Sequence, residues 1–129
     1  MTNISLGTLT GLVPFEVYIS ALTAARSDRL VANATSAPEE MPRDARYFLS
    51  ATGLTGYGIT PEGTLIGLFS LEKRGRVAVE EAIENGVTNL DCFDGFLPAY
   101  YSRFGFVETR RVANWTPGAP DVVFMSLVA

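Results

Sequence analysis

Four groups of residues carry the chemistry that this sequence offers. Tyr101 stands four residues before Gly105-Phe106, and a phenol with an ordinary pKa near 10 is a proton donor at neutral pH. Asp94 closes an apolar run and precedes Gly95; its carboxylate can accept a proton from an attacking group, directly or through a water. Asp91 and Phe93 share one face of that run, while Cys92 and Asp94 share the other. Lys73, Arg74 and Arg76 surround Gly75 in a local cluster of positive charge. Each group also has a plainer role. Tyr101 lies among Phe93, Phe96, Tyr100, Phe104 and Phe106 and serves equally as a core aromatic, Asp-Gly is a common turn, and a basic run before a helix is commonly solvated.

The absence of histidine narrows these choices sharply. It removes histidine-based metal sites and every nucleophile–histidine pair, so any acid or base is an Asp, Glu, Tyr, Lys or Cys, and no metal is expected. Cys92 is the single cysteine, which rules out an internal disulfide; without an activating base, in an apolar strand, it reads as a small hydrophobe, and a covalent acyl-enzyme is rejected. Ten basic residues against fourteen acidic ones argue against electrostatic binding to nucleic acid. No apolar run reaches the roughly 18–20 residues of a membrane span, and Met1–Gly11 lacks the basic start and apolar stretch of a signal peptide. The expectation is a cytoplasmic protein with no membrane segment, its 129 residues forming one domain.

The elements that must position these groups follow from periodicity and punctuation. Residues 1–13 contain a short strand. Pro14 opens a helix to about Arg29, with Phe15, Tyr18, Ile19, Leu22 and Ala25 on one face. Residues 33–44 form a loop with one helical turn after Ser36. Tyr47–Ala51, Gly56–Thr60 and Thr64–Leu71 are strands, the last two joined by the turn Pro61-Glu62-Gly63, which favours an antiparallel meander. Arg76–Glu84 is a short helix ended by Asn85-Gly86, and a strand runs from Val87 to Phe93. Leu97–Phe104 is a helix with Pro98 in its first turn and Gly105 as its stop; Val107–Trp115 and Val122–Val128 close the chain as strands. The class is α+β.

A strand followed by a short helix carrying Tyr101 four residues before Gly105-Phe106 resembles the C-terminal motif of the GNAT family of N-acetyltransferases, typically Asn-x-x-Ala-x-x-Phe-Tyr-x-x-x-Gly-Phe. Tyr101, Gly105 and Phe106 fall on the Tyr, Gly and Phe, whereas Asp94 stands where Asn is usual and Leu97 where Ala is usual. The order of elements over residues 56–129 resembles the same fold: a mixed, largely antiparallel sheet flanked by helices. The run from Gly56 to Ser70, leading into Asp91-Cys92-Phe93-Asp94-Gly95, also looks like small GNAT-like proteins of phage genomes.

The resemblance implies acetyl-CoA as acyl donor and direct attack by a primary amine of a protein or small molecule. It implies Tyr101 as the acid that protonates the departing thiolate and Asp94 as the base. Coenzyme contacts fall on Leu68, Phe69 and Ser70 at a strand end and on Arg74, Gly75, Arg76 and Val77 beyond it. The family pattern in that loop is Arg/Gln-x-x-Gly-x-Gly/Ala; Leu71–Val77 has one glycine and no complete copy, although backbone amides do not depend on side-chain identity. Residues 33–44 and Trp115–Asp121 then shape the acceptor site. The competing reading is a noncatalytic GNAT-like module that docks on another protein, a host factor if the chain is phage-encoded, with a homodimer through the C-terminal hairpin as a further arrangement.

Overall fold

The computed structural model describes residues 9–128. The chain divides into two compact units at the Val87/Thr88 boundary. In the first, β1 (Thr10–Val13), β2 (Arg46–Ser50), β3 (Thr55–Ile59) and β4 (Thr64–Ser70) pair in sequence order, all antiparallel, as the turn at Pro61-Glu62-Gly63 predicts. The expected strand over residues 1–13 is present as β1; its residues 1–8 lie outside the described residues.

Helix α1 (Phe15–Ala25) buries the stripe Tyr18, Leu22 and Ala25 against β2, β3 and β4. Tyr18 stacks on Tyr47 with ring centroids 4.4 Å apart, and Phe69, Val31 and Met41 complete this cluster. Burying a side chain such as Leu22 contributes about 1.5–3 kcal/mol, so the stripe is enough to hold a short helix down. The single helix expected to Arg29 breaks. Asp28 turns its carboxylate onto the backbone N–H groups of Leu30 (2.9 Å) and Val31 (3.4 Å) and starts a second helix, α2 (Arg29–Ala34). The short polar side chain satisfies two free amides that a continuous helix would have no use for. A 3₁₀ turn at Pro38–Glu40 matches the turn expected after Ser36. Helix α3 (Gly75–Glu84) packs on β3 and β4.

In the second unit β5 (Asn89–Phe93), β7 (Val122–Leu127) and β6 (Phe106–Val112) are antiparallel with β7 in the middle. The hairpin of the last two strands is as expected. Within this unit the strand beside β5 is β7, not β6, which follows β5 in sequence. Strand β6 is the outer one, with an extra residue at Thr109 between the pairs Glu108–Met125 and Arg110–Phe124. Helix α4 (Phe96–Ser102) covers β5 and β6, and Gly105, at φ 98°, supplies the left-handed turn that ends it.

Candidate functional site

Strand β4 carries the first irregularity. Gly56 pairs with Phe69 and Gly58 with Ile66, so β4 spends three residues where β3 spends two. The extra residue sits at Gly67, which adopts φ 56°, and the Tyr18 hydroxyl donates to its carbonyl at 2.5 Å. A Cβ on Gly67 would lie 2.2 Å from that hydroxyl oxygen, so glycine is required twice over, by backbone and by space. Such a bulge re-aims the residues after it. Those residues are Leu68, Phe69 and Ser70. Phe69 packs into the core beside Tyr18, leaving only its main chain to meet a ligand, and the Ser70 hydroxyl accepts the Arg74 N–H at 2.8 Å.

Beyond β4 the chain turns into α3. Lys73 adopts φ 58°, and Arg74 occupies the N-cap position without any side chain capping the helix. The amides of Gly75, Arg76 and Val77 form the first turn and have no acceptor within the helix. Amides in this arrangement, at the positive end of a helix dipole, favour an anion. Lys73, Arg74 and Arg76 are exposed around them; Arg76 shares its charge with Glu80 at 3.6 Å. The donor set therefore suits a phosphate-bearing ligand.

In the second unit Tyr101 is buried, with its ring edge-on to Phe106 and Tyr100 at centroid distances of 6.0 and 5.3 Å. Burial first, then the neighbouring Cys92 thiol and Tyr100, push its phenol above the ordinary tyrosine value. Its hydroxyl makes no hydrogen bond among the described residues. Buried polar groups are nearly always paired, so an orphaned hydroxyl asks for a ligand or a role. The Cys92 thiol is pushed up to about 11 by burial and by Asp91 and Asp94, which keeps it neutral and agrees with its exclusion as a nucleophile.

Asp94 lies in the turn after β5, where its N–H donates to the Asp121 carbonyl at 2.8 Å. Arg111 donates to its carboxylate at 2.7 Å and also meets Glu108 at 2.9 Å and Asp121 at 3.5 Å. The guanidinium, helped by the Gly95 amide, holds the Asp94 carboxyl below the usual carboxylate range. The turn role weighed for Asp94 is thus present, and Arg111 is a partner that the sequence did not reveal. Trp115 is 82% exposed in the loop after β6. Leu68–Ser70 and Arg74–Val77 belong to the first unit, and Asp94 and Tyr101 to the second. Among the described residues no group of three His, Cys, Asp or Glu side chains is placed to hold a metal, and no helix is long and apolar enough to cross a membrane.

Two carboxylates escaped the sequence reading. Glu81 is buried in α3 and accepts the Leu9 N–H (2.6 Å), the Thr10 N–H (3.2 Å), the Thr10 hydroxyl and the Tyr57 hydroxyl (2.8 Å). Its spacing of three from Ala78 was the available signal, since that puts both on one helix face. Glu72, in the loop before α3, accepts three hydroxyls from Ser50, Thr52 and Thr55.

No protein-family model matches the chain, and no curated protein matches it in sequence. Solved structures do share its fold. A protein from Lactobacillus plantarum assigned as an N-acetyltransferase has a TM-score of 0.56 at 16% identity, over 95% of this chain and all of the other. A protein from Chromobacterium violaceum assigned to the GNAT family of acetyltransferases has a TM-score of 0.57 at 12% identity, over 94% of this chain and 83% of that one. Ard1 from Thermoplasma volcanium has a TM-score of 0.54 at 12% identity, over 95% of this chain and all of its own. At such identities the likeness concerns the fold. The chain has the α+β fold of GNAT acetyltransferases.

Proposed function

We propose that this chain, as a single acyltransferase domain over residues 1–129, is an acetyl-CoA-dependent N-acetyltransferase acting on a primary amine of a protein or small molecule by direct attack. The buried hydroxyl of Tyr101, without a hydrogen-bond partner among the described residues, carries the reading. A phenol held protonated by burial, in a GNAT fold and in the Tyr-x-x-x-Gly-Phe spacing, is suited to give a proton to a leaving thiolate. The coenzyme thioester, when bound, supplies the activated acyl carbon. The amides of Gly75, Arg76 and Val77 hold its pyrophosphate, the nearby guanidinium of Arg74 adds charge, and the main chain of Leu68, Phe69 and Ser70 flanks the rest.

Asp94 is the proposed proton acceptor on the amine side. Its pairing with Arg111 keeps it ionised but makes it a weak base, so its effect is modest: Asp94→Asn is expected to lower kcat about tenfold with coenzyme affinity unchanged. An unaltered kcat removes Asp94 from the reaction. The reading places the protein in the cytoplasm, that of a host cell if it is phage-encoded.

Exposure of Phe96 (72%) and Trp115 (82%) on the second unit favours one other reading, a noncatalytic module that docks on a protein through aromatic anchors. Calorimetric titration with acetyl-CoA, with coenzyme A as comparison, separates the two. Micromolar binding is the expected result for the enzyme. Absence of binding at millimolar ligand overturns it in favour of the module.

A further inference from the structure

Lys73 is the one non-glycine residue with positive φ among the described residues. Side chains resist that conformation, and it persists only where the surroundings over-determine it. Here both neighbours in sequence are clamped. On one side, the Glu72 carboxylate accepts from Thr55 Oγ1 at 2.6 Å, Thr52 Oγ1 at 2.9 Å and Ser50 Oγ at 3.2 Å. On the other, the Arg74 N–H donates to Ser70 Oγ at 2.8 Å. Ser70 Oγ lies 2.9 Å from Thr55 Oγ1, which links the two clamps.

Counting protons fixes the direction of the Ser70–Thr55 bond. Each hydroxyl has a single proton, and Thr55 spends its own on Glu72. Ser70 must therefore donate to Thr55, which leaves its lone pairs for the Arg74 amide. Glu72, receiving three donors, acts as acceptor only, which an ionised carboxylate does and an amide does not. The Leu71 N–H adds a main-chain bond to the Leu54 carbonyl at 2.7 Å. The loop between β4 and α3 is thus tied to the β2–β3 turn by side chains drawn from three strands and that turn.

We infer that Glu72 is a positioning residue: by fixing Lys73 in its left-handed conformation it aims the amides of Gly75, Arg76 and Val77 at the coenzyme pyrophosphate. This rests on the acetyl-CoA reading above. It accounts for a loop with a single glycine where the family pattern has two small residues. What glycine allows by conformational freedom is here imposed by hydrogen bonds, and a donor array set before binding does not lose affinity to ordering.

The test compares two ligands on three proteins. Wild type, Glu72→Gln and Thr55→Val are titrated calorimetrically with coenzyme A and assayed with acetyl-CoA and with S-acetylpantetheine, which lacks the pyrophosphate. Glu72→Gln keeps the shape and brings an N–H₂ group against hydroxyl donors; Thr55→Val removes the shortest bond and serves if the first variant fails to fold. Both are expected to raise the Kd for coenzyme A and the KM for acetyl-CoA about tenfold, with kcat and the kinetics of S-acetylpantetheine unchanged. Equal losses with both donors, or no loss, overturn the assignment, because a role in stability alone does not distinguish ligands by their pyrophosphate. Failure of the wild type to bind coenzyme A overturns the acetyl-CoA reading itself, and this assignment with it.

Discussion

Replacing Tyr101 by phenylalanine is expected to lower acetyl transfer about 10²- to 10⁴-fold, the usual range for losing a placed general acid, with the Kd for coenzyme A altered less than about twofold. The substitution deletes one oxygen and leaves the ring to its contacts with Phe106 and Tyr100. Because that oxygen has no hydrogen-bond partner among the described residues, its removal relieves a buried polar group. The melting temperature should therefore hold or rise while the rate collapses, a combination that a structural tyrosine cannot give. The pH profile of the wild type offers a second view. Burial raises the phenol pKa, so loss of activity on the alkaline side should begin above the ordinary tyrosine range near pH 10. A variant with the wild-type rate would return Tyr101 to the core aromatics and remove the principal support for catalysis.

Glu81→Ala is expected to have the largest effect on stability, about 3–5 kcal/mol, seen as a fall in melting temperature of more than about 10 °C. The loss does not come from the carboxylate itself but from what it leaves behind. The Leu9 and Thr10 amides and the Thr10 and Tyr57 hydroxyls all point at it, and without an acceptor they are donors held away from water. The Asn85 side chain donates to the Tyr57 hydroxyl at 3.0 Å and so cannot replace the lost acceptor, and the Thr10 hydroxyl has only the Tyr57 oxygen, at 3.4 Å, to turn to. Glu81→Gln should fall between, since its oxygen retains some donors and its N–H₂ opposes the others. Glu80→Ala is the control: exposed, one residue away, and expected within about 0.5 kcal/mol of wild type. If Glu81→Ala is no more harmful than Glu80→Ala, the buried network does not hold β1 to α3.

The elements were legible where a local signal had no competitor. Tyr18, Leu22 and Ala25 mark the buried face of α1 by spacing alone, and Gly105 marks the end of α4 because the chain there needs a left-handed residue. The expected long first helix failed at Asp28, where a carboxylate able to cap free amides prevails over a weak continuing pattern. Long-range partners were another matter. The spacing of Glu81 from Ala78 marks its helix face, but its donors come from residues some seventy positions earlier in the chain. Arg111 and Asp94 are likewise distant in sequence, so the basicity of Asp94 could not be judged from its own neighbours. The bulge at Gly67 lies inside an otherwise smooth apolar run, and only the register of β3 against β4 exposes it. The loop before α3 looked impoverished because its bracing comes from Ser50, Thr52 and Thr55, none of which belongs to it.

Strand β6 bears on how the protein behaves when it is concentrated. The outer strand of a sheet presents a row of N–H and C=O groups to any other extended chain, and long, flat, apolar edges seed aggregates. Here the extra residue at Thr109 breaks the flat repeat, with the negative charge of Glu108 before the break and the positive charges of Arg110 and Arg111 after it. Arg110 is further held over the Phe124 ring at 4.2 Å, covering part of an aromatic face on the neighbouring strand. An incoming strand would have to match that kink and desolvate those charges before gaining its first main-chain bonds. The edge is thus a poor template for fibril growth, and solubility at this border rests on three charged side chains and one irregular residue.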